Sequence, residues 1–197
     1  MKTTKTLLVL ALFLAFSVLA QSLVKSKAGI LVSSGDKLLK LKSNSVLKPD
    51  DKYRILLQPD SGGYGYFVML TNDKAKLLTN SKAYKDQILA YPPKGNYEKF
   101  QKKGDYELVL LYSINKLADL DKLFKNNPEV KAESFNKIFG ALKKKIKQSV
   151  SDDSQVNINI AGNVRGDQNV QDKDFLKKLK PFGTKDVLIL QYKIKVK

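Results

Sequence analysis

The side chains that carry most enzymatic chemistry are missing from this sequence. It has no histidine and no cysteine. That removes histidine general bases, serine–histidine–acid triads, imidazole metal ligands, thiol nucleophiles and zinc–thiolate sites together. Carboxylates, lysines and tyrosines remain. Two carboxylates alone can hydrolyse a glycoside. Beyond residue 20 the glutamates are Glu98, Glu107, Glu129 and Glu133. Asp105 and Glu107 fall at i and i+2 of a predicted strand, hence on one face. At the start of a strand such a pair reads as a solvated edge, and the supporting groups of a hydrolase are absent. A carboxylate-based hydrolase is therefore the distant alternative, and the chain is read as non-enzymatic.

Metal and phosphate sites fare no better. Asp152-Asp153 and Asp172 with Asp174 offer oxygen ligands without the spacing of a calcium loop, so they are assigned to helix breaking and capping. Gly62-Gly63-Tyr64-Gly65 precedes a strand and lacks the helix N-terminus that would hold phosphate. No cofactor and no metal are expected.

Binding residues are easier to find. Tyr64 and Tyr66 share one strand face. Exposed, they form a platform for sugar or peptide; buried, they are ordinary strand residues. Tyr91, before two prolines, joins them as a candidate. Lysines supply 34 of the 36 basic residues, the arginines being Arg54 and Arg165, and the formal net charge is +17. Lysine is a hydrated point charge, whereas bidentate phosphate recognition favours arginine. The excess therefore argues against specific nucleic-acid reading; it either attracts anionic surfaces in general or, the simpler reading, merely solvates the surface. Lys143, Lys144, Lys145 and Lys147 concentrate it at one helix end. Arg165-Gly166-Asp167 spells a cell-adhesion tripeptide in a polar loop, where a plain turn is the simpler reading.

The elements that must position these residues begin after an export signal. Lys2 and Lys5 precede an apolar stretch from Leu7 to Phe16 and then Ser17-Val18-Leu19-Ala20, which predicts cleavage between Ala20 and Gln21. The apolar run is short for a bilayer span, and nothing later resembles one. An uncleaved anchor is the alternative. Removal of residues 1–20 takes two lysines and no acid, leaving 34 − 19 = +15. One domain with a packed core suits the remaining length.

Periodicity predicts strands over Ala28–Ser33, Lys37–Lys42 (Leu39 and Leu41 on one face), Tyr53–Leu57, Tyr64–Leu70, Ala75–Thr79, Tyr106–Ser113, Val156–Ile160 and Asp186–Lys197. Residues 80–103 are irregular. Leu117, Leu120, Leu123 and Phe124 predict a short helix, and Phe175, Leu176 and Leu179 a helical turn. Asn127-Pro128-Glu129 reads as the start of a helix to Gln148, with Phe135, Ile138, Phe139, Leu142 and Ile146 on one face. That helix either covers a sheet or lies on a membrane surface, and a sheet needing a cover favours the first.

The middle of the chain carries a recognisable series. Gly35-Asp36, Leu47-Lys48-Pro49-Asp50-Asp51-Lys52-Tyr53-Arg54-Ile55 and Gly63-Tyr64-Gly65-Tyr66-Phe67-Val68 come first. Leu77-Leu78-Thr79-Asn80, Tyr91-Pro92-Pro93 and Gly104-Asp105-Tyr106-Glu107-Leu108 follow in order. Over roughly residues 34–115 this resembles the domain of unknown function 4384 family, with Thr79 standing where the family usually has proline. The resemblance implies a compact β domain in bacterial exported or surface-linked proteins, with no established activity and no catalytic residues.

The expectation is a β-rich α+β domain, an antiparallel sandwich or partly open barrel, covered on one side by the Pro128–Gln148 helix. Residues 28–115 form its β-rich part. Residues 116–197 add helices and returning strands packed on the same domain. Its expected role is a binding or interaction module, periplasmic or extracellular. The partner is an envelope or extracellular protein, or alternatively an anionic lipid, glycan or host polymer.

Overall fold

The structure, a computed structural model, describes residues 24–145, 168–184 and 186–197. Its strands come where apolar and β-branched residues cluster between Gly, Pro, Asn and Asp turns. They are β1 (Val24–Ser34), β2 (Lys37–Lys40), β3 (Ser45–Leu47), β4 (Lys52–Pro59), β5 (Gly63–Leu70), β6 (Lys74–Ala83), β7 (Leu89–Tyr91), β8 (Glu98–Lys99), β9 (Gly104–Ser113), β10 (Glu129–Lys131), β11 (Phe182–Thr184) and β12 (Val187–Val196). The helices are α1 (Ala118–Phe124), α2 (Ala132–Lys145) and α3 (Gln168–Lys177).

Two sheets form, and neither closes into a barrel. The first runs β11-β1-β4-β7, with β2 on β1 and β8 on β4; the second runs β10-β6-β5-β9-β12-β3. Pairing is antiparallel except between β12 and β3. The sandwich reading holds. Between the sheets Ile30, Val32, Tyr53, Ile55 and Leu57 meet Phe67, Leu108, Leu110, Leu188, Leu190 and Tyr192. Alternation puts the intervening residues on the outer faces.

Both outer faces are covered, which corrects the expectation of a cover on one side only. Under α1 and α2 lie Tyr66, Val68, Leu70, Val109, Leu111, Val187 and Ile189. Under α3, Phe175, Leu176 and Leu179 meet Leu31, Leu38 and Leu56. Strands buried on both faces read as unbroken apolar runs. That explains Ile55-Leu56-Leu57, Val109-Leu110-Leu111 and Leu188-Ile189-Leu190.

Three local expectations need correction. The long helix begins at Ala132, not Pro128. Asn127 caps no helix; its Oδ1 accepts from the Glu129 amide at 2.8 Å in a turn that leads into β10. Glu129–Lys131 first pair with Lys74–Lys76, and the Leu77 amide donates to Pro128 O at 2.8 Å. A waiting sheet edge outcompetes the local helix signal. In β2 the buried residue is Leu38, while Leu39 is 40% exposed, because β2 turns its other face to α3. Third, Asn80–Ala83 extend β6, and β7 and β8 occupy part of the stretch expected to be irregular.

The first sheet is fastened to α3 by a buried ion pair. Arg54 Nη2 lies 2.9 Å from Asp172 Oδ2, and Nε donates to both carboxylate oxygens at 3.0 and 3.1 Å. Nη1 donates to the carbonyls of Pro92 and Asn96. The guanidinium fork is thereby satisfied inside the protein, as burial requires.

Candidate functional site

The second sheet ends in β6, and only the first part of that strand has an outer neighbour. Lys74–Lys76 pair with β10; from Thr79 to Ala83, β6 pairs only with Phe67 to Gly63 of β5. Leu78 is skipped in that register, since Phe67 faces Thr79 and Val68 faces Leu77. The bulge adds one residue and kinks the strand. It keeps Ala83 toward the inter-sheet core while Ala75 and Leu77 serve the outer one. Asn80 then stands opposite Tyr66, and Lys82 opposite Tyr64.

Gly63 sets how tightly this corner closes. A Cβ there would come within 2.5 Å of the Ser113 carbonyl oxygen and 2.7 Å of the Tyr112 ring. β5 and β9 approach so closely at the cleft's end that only glycine fits.

Tyr64, Asn80, Ser81, Lys82, Lys116 and Asp121, with the hydroxyl end of Tyr66, line a cleft of about 500 Å³ beside this edge. The two tyrosines share the face but not the role. Tyr66 is 2% exposed and belongs to the core under α1. Its hydroxyl accepts from the Leu117 amide at 3.0 Å and donates to Asp121 Oδ2 at 3.4 Å. Asn80 Nδ2 donates to the other Asp121 oxygen at 3.2 Å. Tyr64 is half-buried, and the Lys116 ammonium stands 5.5 Å from its ring centroid. The cleft thus offers an aromatic face, two lysines and a fixed amide–carboxylate pair, groups that bind polar chains and orient them.

Burial raises the Tyr66 phenol to about 12, with the Asp121 charge adding to the effect and the Leu117 amide opposing it. Burial likewise lifts Tyr97 to about 12, helped by Asp172, and pushes Tyr53 far above the ordinary range. A phenol raised on folding stabilises the protein below its unfolded pKa of about 10, and that contribution is lost as pH climbs through the folded value. Unfolding followed by circular dichroism should therefore show stability falling from about pH 10 toward about 12, while ultraviolet absorbance shows tyrosinate appearing with the loss of structure.

The remaining sequence candidates lie elsewhere. Tyr91 sits on β7 in the opposite sheet, packed against the inter-sheet core and bonded to Glu98. Lys143 reaches back over the Phe139 ring at 4.4 Å, while Lys144 and Lys145 are exposed at the end of α2. Lys147, the Ala20–Gln21 cleavage point, Asp152-Asp153, the strand predicted over Val156–Ile160 and Arg165-Gly166-Asp167 fall outside the described residues. Asp105 and Glu107 do share the outer face of β9 and line a second cleft of about 490 Å³ with Asn136, Lys193 and Lys195. Asp105 is paired in register with Lys195 and Glu107 with Lys193, and Gln191 donates to Glu107. Among the described residues no group of three or more acidic side chains is placed to hold a metal ion, and no helix is long and apolar enough to cross a membrane.

Sequence reasoning missed four residues here. Asn80, Lys82, Lys116 and Asp121 come from β6, a loop and α1, and nothing in their local pattern joins them. Continued alternation past Thr79, through Asn80 and Lys82, was the one available signal.

Fold and site together define a two-sheet β-sandwich with helices on both outer faces and a tyrosine-lined cleft at one sheet edge. No family model, no curated protein and no solved structure matches the chain.

Proposed function

We propose that this protein is an exported, non-enzymatic interaction module of the bacterial envelope, akin to the domain of unknown function 4384 family, which grips an envelope or extracellular protein at the Tyr64 cleft. The supporting observation is that the aromatic face of Tyr64 is left half-open beside an unpaired strand edge, whereas Tyr66 and the apolar patches on the outer faces of both sheets lie under the protein's own helices. Exposed aromatic surface beside polar groups is what recognition sites retain. The export signal over residues 1–20 supplies the location.

The processed protein, residues 21–197, should capture a discrete partner from envelope extract that survives a high-salt wash. Tyr64→Ala should reduce that capture by about tenfold or more, the range expected of an aromatic anchor. Its stability should stay within about 1 kcal/mol, because the ring is half-buried. A second reading has its own observation in Lys144 and Lys145, exposed at the end of α2. Capture of only lipid or polymer, lost as salt rises, would favour that reading, since exposed charges are screened within about 10 Å at 0.1 M salt.

A further inference from the structure

The free stretch of β6 has chemistry of its own. Thr79–Ala83 are hydrogen-bonded to β5 on one side. In an antiparallel strand, alternate N–H and C=O groups point the other way, and here no strand among the described residues meets them. An unpaired edge of this kind is a template for another strand. Natural edges are commonly blunted, and the bulge at Leu78 does so where β10 ends. The five residues after it keep regular pairing with β5.

Charge selects what such a strand should carry. Lys82 stands on the edge strand and Lys116 lines the adjoining cleft, their ammonium groups 5.2 Å from the Tyr84 ring and 5.5 Å from the Tyr64 ring. Among the described residues neither joins an ion pair. Asp121, the carboxylate in the cleft, is already held by Tyr66 and Asn80. The site therefore presents two lysines outside any ion pair, with only the Asp121 carboxylate partly offsetting their charge, next to a row of main-chain donors and acceptors.

We infer that the Thr79–Ala83 edge receives an extended acidic peptide segment as an added β-strand, its main chain pairing with β6 and its same-face carboxylates meeting Lys82 and Lys116. The inference rests on reading the Tyr64 cleft as the binding surface and names what binds there. Main-chain bonding supplies affinity with little sequence demand; the Tyr64 cleft and the two lysines supply preference at alternate positions. A basic segment is disfavoured by like charge.

The test uses the purified protein and three synthetic probes of about eight residues, a length that spans the edge. One alternates glutamate and valine, one alternates lysine and valine, and the third is the first with alternate backbone nitrogens methylated. Affinity is read by calorimetry and amide hydrogen exchange locates the site. The glutamate probe should slow exchange at residues 79–83. The lysine probe should bind at least about tenfold more weakly, and methylation should abolish binding by removing the ladder donors. The double variant Lys82→Glu, Lys116→Glu should reverse the order of the first two probes. Equal binding of the methylated probe, protection outside 79–83, or an unchanged order in the charge-reversed variant would each overturn the inference. So would edge amides already protected in the free protein, whether by a second copy, seen as concentration dependence, or by residues 146–167, seen without it. An envelope protein captured with no change at 79–83 overturns this inference and leaves the module reading intact. A glutamate probe seated at the edge while the extract yields no partner counts against the module reading alone.

Discussion

Replacing Asp172 with alanine lowers the stability of the protein by about 3–5 kcal/mol. The carboxylate accepts three bonds from Arg54 in a site where both side chains are no more than 5% exposed. Its removal strands a buried guanidinium that keeps only the Pro92 and Asn96 carbonyls as acceptors. Removing one partner of a buried pair costs far more than the pair contributes, because the remaining charge is desolvated without compensation. The double replacement Arg54→Met, Asp172→Leu should therefore recover most of the loss. Urea unfolding of Arg54→Met alone, Asp172→Leu alone and the double completes the cycle. Equal destabilisation in all three would mean that packing of α3, rather than charge, is what the site provides.

Phe135→Ala should cost about 3–5 kcal/mol. Phe135 is fully buried between α2 and the second sheet, stacked on Phe139 at 5.3 Å and tilted against Phe124 at 6.3 Å. This result separates the two readings of α2. A helix lying on a membrane would show the phenylalanine's loss in vesicle binding, with the folded domain hardly affected. A helix packed on a sheet shows it in the unfolding midpoint, with vesicle binding unchanged. Ile146, the last residue of the predicted apolar face, lies outside the described residues.

Much of the sandwich can be read from one-dimensional pattern. β4, β5, β9 and β12 are long, apolar and bounded by turns, and periodicity finds them within a few residues. What periodicity misses depends on partners distant in sequence. Glu129–Lys131 become a strand because Lys74–Lys76 offer an edge, and the Lys74–Glu129 contact at 2.6 Å is an exposed pair that adds little energy. Leu38 rather than Leu39 is buried because α3, more than a hundred residues later, covers that side of the first sheet. The second covered face is itself legible only in retrospect. A run such as Leu188-Ile189-Leu190 means two buried faces, whereas strict alternation from Gln191 onward means one.

The site divides the same way. Tyr64 and Tyr66 are adjacent on one strand, so their shared face follows from the backbone period. That one is core and the other half-open follows from α1, whose Leu117 amide and Asp121 carboxylate take the Tyr66 hydroxyl. The Arg54–Asp172 pair had one faint sequence signal. Arginine is rare here among many lysines, and arginine is the residue suited to a buried, forked ion pair.

The proposed function puts binding at the β6 edge and not at the lysine-rich helix end. Site-specific photo-crosslinking in living cells tests it directly, with a photoreactive residue placed at Lys82 in one strain and at Lys144 in another. Position 82 should give a discrete protein adduct, lost when Tyr64 is also changed to alanine, and position 144 should give none. Adducts to lipid or glycan from position 144, with position 82 silent, would contradict the proposed function.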